Sequence, residues 1–410
     1  MERSARVTKT DNPSAAQPAG PLVGLRVLDF SRILAGPTCT QLLGDMGADV
    51  IKVERPGLGD DTRAWGPPYV QGPDGPTSES AYYLSANRNK RSVAMDIATP
   101  EGQALALNIA KVSDVFIQNF KTGDIDRRGL GYEAVRAVNP DIIYCSISGY
   151  GQTGPNKDKP GYDLMAQGYG GVMSLTGDPG GVPTKVGVGI ADVMCGMYAT
   201  VAILAALRHR DQGGGGQHID LALVDSQIAW LINEGTNHLL SGKLPVRRGN
   251  EHPNIVPYGV FPCADGHVIA AVGNDAQFAR FTDLLGVPLL AEDPAFATNQ
   301  ARIVNRKALV PQLEALTAKW DKAALSAAME ARKVPVGPIH DVAEVFASDQ
   351  VAARGLKVSV PHPGAASGAV DLIGNPMNFS ATPVAYRRHP PMCGEHTEEV
   401  LRELGLWTGA

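Results

Sequence analysis

The sequence is poor in aromatic residues, in charge and in paired thiol or metal ligands, and each shortage removes a class of function. Only 6% of its 410 residues are aromatic and 19% are charged, with a net charge of −5 and no basic run. Nothing in that pattern follows a phosphate backbone, so no nucleic-acid partner is expected. The five cysteines, Cys39, Cys145, Cys195, Cys263 and Cys393, are scattered and include no CxxC pair. A disulfide frame and a zinc site are therefore not expected, and a reducing, cytoplasmic compartment is. The nine histidines form no close pair at ligand spacing, so no metal is expected. No apolar stretch reaches membrane-spanning length by this reading: Val201 to Leu207, the most apolar segment, meets charge within two turns.

What is there is enough for a substantial core. Hydrophobic residues make up 44% of the chain, and its length allows two or three domains at the usual size of about 150 residues each. Residues 1–20, polar and rich in Ala, Pro, Ser and Thr, read as a disordered tail. Residues 21–225 read as the first part of a large α/β domain, 226–330 as a small α+β domain, and 331–410 as a return segment completing the large one.

The large domain is legible as alternating elements. Leu25 to Phe30 is a short apolar strand, followed by the Gly36-Pro37 turn, a helix through Leu42 to Met46 and the strand Ala48 to Glu54. Further strands lie at Arg91 to Ile97, Asp114 to Phe120 and Asp141 to Ile147, with helices opening at Thr99-Pro100 and running over Tyr132 to Val138. Strand–helix alternation implies a Rossmann-like parallel sheet, whose ligands sit at the strands' carboxyl ends. The G-x-G-x-x-G fingerprint of dinucleotide binding is missing, since only Gly36 stands in the first turn. Beyond residue 226 the pattern changes to a hairpin, Tyr258 to Cys263 and His267 to Val272, then helices at Asp275 to Leu284, Arg302 to Ala318 and Lys322 to Arg332.

One stretch concentrates chemistry. In Thr184-Lys-Val-Gly-Val-Gly-Ile-Ala-Asp192, Gly187 and Gly189 allow close backbone approach, and Asp192 stands at the mouth of a strongly apolar helix. Asp192 reads either as an N-cap or as a nucleophile whose pKa the helix end lowers. The glycine-rich segment before it, from Gly149, reads as the lining of a cleft.

With those pieces in order, the chain resembles the family III coenzyme A transferases, the formyl-CoA transferase family that also holds carnitine CoA-transferases and α-methylacyl-CoA racemases. The resemblance is carried by Leu28 to Pro37, Asp49 to Arg55, Asn87 to Ser92, Gln118 to Phe120, Gly149 to Pro155, Gly187 to Asp192 and Gly394 to His396. It implies that Asp192 attacks a donor acyl-CoA to give a mixed anhydride and then an aspartyl-CoA thioester, which the acceptor acid resolves. Coenzyme A is then part of the substrate and no permanent cofactor is implied. Ile33, Leu34 and Ala35 would line the adenine or pantetheine path, and Arg55 would meet the nucleotide end. Met95, Asn119, Phe120, Lys121, Arg127 and Lys159 would hold pantetheine and phosphates, with Tyr162 in the same set. Without the resemblance, Arg127 and Lys159 read as solvated surface charges and Phe120 as core.

Within the family, Tyr162 stands where the racemase branch places a histidine base, which disfavours racemase or isomerase chemistry. Asp163 then reads as structural, capping the helix that starts at Leu164. The stretches Val53 to Pro68 and Asn254 to Tyr258 are most similar to the branch moving CoA from succinyl-CoA to dicarboxylates such as glutarate or hydroxymethylglutarate. Arg32, Arg247 or Arg248 would meet the second carboxylate, and Gly249 and His252 fall in the segment corresponding to a covering loop. Transfer to a carnitine-like, formate-like, oxalate-like or aromatic acid, and a non-catalytic acyl-CoA-binding subunit, are the other readings. The resemblance also implies an interlocked homodimer, each chain an open ring threaded by the other.

Overall fold

The structure is a computed structural model that describes residues 20–407; the expected tail at residues 1–20 lies almost wholly outside them. The chain divides into two compact units. The large one takes the residues up to Gly170, Gly187–Leu231 and those from Arg354 on, and the small one takes Gly171–Val186 and Ile232–Ala353.

The large unit is built on a six-stranded sheet of order β5-β2-β1-β6-β7-β8, parallel throughout. Its strands are β1 (Arg26–Asp29), β2 (Asp49–Glu54), β5 (Lys90–Ala94), β6 (Val115–Gln118), β7 (Ile143–Ser148) and β8 (Gln217–Ala222). Between β2 and β5 the chain makes a small antiparallel hairpin, β3 (Tyr69–Gly72) and β4 (Gly75–Ser80). That hairpin is hidden in the sequence because its turn residues and prolines read as loop.

Strand side chains alternate between two apolar layers. Val27, Val50, Val115, Ile117, Ile143 and Cys145 face one core, which the helices Ala35–Asp45 and Ile190–His209 cover. Leu28, Ile51, Val53, Phe116 and Tyr144 face the other, covered by the helix Pro100–Ala110 and the last helix, Thr397–Glu403, through Val400 and Leu401. The helix at 100 starts as its sequence predicts: Thr99 accepts from the Gly102 N–H at 3.0 Å with proline next in line.

The helix Ile190–His209 runs on to Gly214, long and apolar enough by length and composition to cross a membrane, contrary to the sequence expectation. Its apolar run is continuous because Cys195, Ala199 and Ile203 fill the core against the sheet while charge is held back to Asp192 and the far end.

The small unit has a three-stranded antiparallel sheet, β11-β10-β9, in which β9 (Tyr258–Cys263) and β10 (Gly266–Ala271) form the expected hairpin. Its boundary differs from the predicted 330. Residues beyond it supply β11 (Val336–Pro338), which pairs with β10, so the unit runs on to Ala353. It also claims Gly171–Val186, tied in by the Gly249 N–H to the Gly177 carbonyl. The predicted helix Arg302 to Ala318 is broken into Asn299–Val304 and Arg306–Thr317. The return segment adds a second hairpin to the large unit, β12 (Lys357–Pro361) with β13 (Ala369–Ile373).

Phe116 is fully buried and stacks between Phe30 and Tyr144, with ring centroids at 4.9 and 4.7 Å. Phe116→Ala is expected to cost about 3–5 kcal/mol, as aromatic deletions in a packed core do. A urea titration of the variant should show the large-unit transition at clearly lower denaturant; an unchanged midpoint would mean that the stack contributes nothing.

Candidate active site

The order of strands in the large sheet reverses at β1, which has β2 on one side and β6 on the other. Chains leave the two strands in opposite directions there, and a crevice opens at their carboxyl ends. Asn119, just past β6, bridges the gap: its side-chain oxygen accepts the Arg32 N–H at 2.9 Å, and its amide donates to the Arg32 carbonyl at 2.7 Å.

The loop after β1 is held from below by buried charge. Lys52, in the middle of the apolar strand β2, donates to the Ser31 carbonyl and to Asp60, both at 2.9 Å. Asp60 in turn faces the Ile33 N–H at 3.3 Å and accepts from the N–H and hydroxyl of Thr62 at 3.0 and 2.8 Å. Burial would raise the Asp60 pKa, but the Lys52 charge and these hydrogen bonds win and lower it to about 2. The loop has to be held, because Ile33 has φ +70, a left-handed conformation that costs a β-branched residue on the order of 1–3 kcal/mol. This is how Ile33 and Leu34 are presented to the crevice.

Two hollows result. One of about 290 Å³ is lined by Arg32, Ile33, Leu34, Ala35, Asn119, Phe120, Lys121, Lys157, Lys159, Tyr162 and Asp192. The other, about 270 Å³, is lined by Arg32, Arg55, Met95, Phe120 and Arg128 among others. Every predicted coenzyme-contact residue but one therefore lies on these walls. The exception is Arg127, which is largely exposed and paired with Asp124; its neighbour Arg128 takes the wall position, its guanidinium 5.9 Å from the Phe120 ring centroid. Gly149 and Gly161 make the far wall, crossing so closely that a Cβ on Gly161 would stand 2.1 Å from the Gly149 Cα. Only glycine fits at that crossing.

Asp192 is 9% exposed and belongs to the first turn of its helix, whose N-cap is Gly189. It is thus not the N-cap. The first-turn N–H of Ala191 is taken by Asp163, whose Oδ1 accepts it at 2.8 Å while Oδ2 accepts the Gln167 side-chain amide at 2.7 Å. Asp163 is itself the first residue of the helix Asp163–Tyr169, so it caps a neighbouring helix and not its own. The electrostatic consequence also reverses the sequence reading: burial, then the nearby Asp163 carboxylate, push the Asp192 pKa up to about 7. The helix end does not win because desolvation and a like charge act together against it.

Tyr82 was not predicted. Burial raises its phenol pKa, and so do Asp192, Asp163 and Asp60, which places it beside the carboxylates; Trp65 makes an edge contact with its ring at 5.2 Å. Nothing in the sequence around Tyr82 signals this. Lys157 is a second omission, though it shares the glycine-rich segment with Lys159.

The four remaining predicted residues lie in the small unit. Arg247 donates to the Gly181 carbonyl, Arg248 meets Glu234 at 3.4 Å, and both line an open hollow with Arg306 and Lys307. Gly249 has φ +60, and His252 accepts the Asn254 N–H at 3.1 Å, as an ordinary loop histidine does. Among the described residues no group of three or more His, Cys, Asp or Glu could hold a metal ion.

Residues 22–397 match the family described as CoA-transferase family III. The succinate–glutarate CoA-transferase of Agrobacterium fabrum is 49% identical over 396 residues, 96% of this chain and 98% of that protein. The human succinyl-CoA:glutarate CoA-transferase is 42% identical over 389 residues, 94% of this chain and 86% of that one. A crystal structure of a CaiB/BaiF family protein from Brucella suis superposes with a TM-score of 0.83 at 46% identity, covering 94% of this chain and 100% of that one.

The raised pKa has a stability consequence of definite sign. Between the ordinary value of 3.8 and about 7 the folded protein binds the extra proton, so Asp192 costs stability as pH rises through that window and most above it. Asp192→Asn is expected to melt on the order of several degrees above the parent at pH 8, with the difference fading towards pH 4. Calorimetry at the two pH values checks this, and equal melts at pH 8 would mean that ionised Asp192 is well solvated.

Proposed function

The chain belongs to CoA-transferase family III, and from that premise we propose that it moves coenzyme A from succinyl-CoA to a free dicarboxylic acid through covalent intermediates on Asp192. The observation that carries the reading is one buried carboxylate, on the wall of a lysine-lined crevice, in a protein of this family. A carboxylate is the chemically matched nucleophile, since only an acid can form an anhydride with the donor acyl group and exchange it. With a pKa of about 7, ionised Asp192 is a stronger nucleophile than an ordinary aspartate and is still well populated at neutral pH.

The steps follow. Asp192 Oδ attacks the thioester carbonyl, the C–S bond breaks, and CoA leaves as thiolate. The thiolate attacks Asp192 Cγ, the donor acid departs, and the enzyme holds CoA as an aspartyl thioester. The acceptor carboxylate then runs the sequence backwards and leaves as the new acyl-CoA. Lys121, Lys157 and Lys159 supply positive charge along the crevice, and Arg55, Met95 and Arg128 form the second hollow for the nucleotide end.

The dicarboxylate assignment is supported by the glutarate named for both relatives and by arginines on the walls of the hollows, which a second carboxylate would meet. Arg32 lies on the crevice with its Nε buried and unpartnered and its Nη1 paired with Asp61 at 2.6 Å, and Arg247 and the Glu234-paired Arg248 line the small unit's open hollow. The interlocked homodimer and a reducing, cytoplasmic location belong to the same reading, the latter supported by five free cysteines. A monomeric mass in solution would overturn the dimer.

Mixing the protein with succinyl-CoA and a panel of free acids, and following new CoA thioesters by mass spectrometry, tests the reaction. A dicarboxylyl-CoA product is expected, lost by at least about 10³-fold in Asp192→Ala, as when a catalytic nucleophile is removed. The variant Arg32→Ala, Arg247→Ala or Arg248→Ala that removes the second-carboxylate partner should raise KM for the diacid; unchanged kinetics in all three would remove that assignment. Exchange of the α-proton of a 2-methylacyl-CoA in D₂O would instead establish an isomerase.

A further inference from the structure

Asp163 has no part in the steps just given, yet it is built into the start of the Asp192 helix from another element. Its two oxygens are both engaged, one by the Ala191 N–H at 2.8 Å and one by Gln167 at 2.7 Å. A Cβ on Gly189, the helix's N-cap, would stand 3.8 Å from its carboxyl carbon, so it lies directly against the turn that carries Asp192. A helix start leaves four N–H groups without intrahelical partners and favours negative charge nearby; here Asp163 accepts one of them, from Ala191. Asp192, one residue further on, has to ionise beside it.

The other groups facing Asp192 do not reverse this. Tyr82 is a neutral phenol with a raised pKa, and Cys195, one turn along the same helix, is a thiol pushed up to about 12 by burial. The cations Arg32, Lys121, Lys157 and Lys159, and the acid Asp124, line the same crevice.

We propose that Asp163 is a positioning residue that fixes the first turn of the Asp192 helix and, as a neighbouring carboxylate, drives Asp192 towards its acylated states. This rests on the covalent reading above. When Asp192 Oδ bonds to the acyl carbon and thiolate leaves, the side chain becomes an uncharged anhydride. When thiolate then bonds to Asp192 Cγ and the donor carboxylate leaves, it becomes an uncharged thioester. Both adducts end the repulsion between the two carboxylates, whereas the free enzyme bears it. Asp163 thereby makes the nucleophile more reactive and its adducts more populated.

Asp163→Asn removes the charge while its amide oxygen still accepts the Ala191 N–H, provided the Gln167 amide turns its oxygen towards the new NH2. The expected result has two parts. The acid limb of the kcat/KM profile for succinyl-CoA moves down by about one pH unit, the size of shift a neighbouring charge commonly makes. The fraction of enzyme recovered by mass spectrometry as the Asp192 thioester falls severalfold at the same succinyl-CoA concentration. Asp163→Glu, which keeps the charge, should hold the limb near its parental position. A slower Asp163→Asn enzyme with an unmoved limb and undiminished adduct would show a merely structural role and overturn the proposal. Folding is checked by the melting temperature, and if the amide variant does not fold, Asp163→Ser serves, read by the same limb and adduct. Failure of the underlying reading looks different: the parent protein forms no adduct and Asp192→Ala retains transfer.

Discussion

The crevice depends on one buried ion pair. Lys52 and Asp60 are both fully enclosed, and in such a setting breaking the pair by removing one partner typically costs about 3–5 kcal/mol because an uncompensated charge is left behind. What the pair secures is the exit from β1. Lys52 fixes the Ser31 carbonyl and Asp60 faces the Ile33 N–H, while Asn119 pins Arg32 from the other side of the switch point. A second buried lysine, Lys90, reaches Asp29 at 3.5 Å, and Asp29 accepts the Ser31 N–H at 2.8 Å. Charges that would be a liability in an apolar core are here arranged to hold a strained loop open.

On that base the rest of the site is assembled from separate elements with different demands. The lysine-lined walls need solvent and positive charge. The Asp192 helix needs the apolar layer it shares with the helix Ala35–Asp45. Asp192 stands where the two environments meet, dry enough to be a strong base and open enough to be reached. A carboxylate placed one turn deeper would be neutral and unreachable, and one placed on the surface would be an ordinary weak nucleophile.

Much of this was legible in the sequence. The alternation of strands and helices was, because parallel strands buried on both faces read as continuous apolar runs. So was the position of Asp192, through its glycines and the apolar run after it, and so were the crevice residues Ile33 to Ala35 and Asn119 to Lys121, through the resemblance. The hairpin of β3 and β4 was not, since its short strands carry prolines and glycines, and the small unit's edge was misplaced because β11 is only three residues long. The partner of Ala191 was illegible for a different reason. Asp163 acts across a distance of 28 positions in the chain, and no local pattern distinguishes an aspartate that caps its own helix from one that caps another. The pKa of Asp192 was misread for the same cause: the helix end is visible in sequence, whereas burial and a neighbouring charge are properties of the fold.

The order in which the chain supplies its parts has a consequence for synthesis. All six strands of the large sheet have been made by Ala222, but the helix that packs Val400 and Leu401 onto its second face begins only at Thr397. At translation rates of about 5–20 residues per second, part of that apolar layer waits on the order of ten to thirty seconds for its cover. The intervening time is spent making the small unit, which closes its own sheet locally through neighbouring strands. The nascent protein thus carries one finished body and one unfinished one, and it is the body that holds the candidate site that waits longest for its cover.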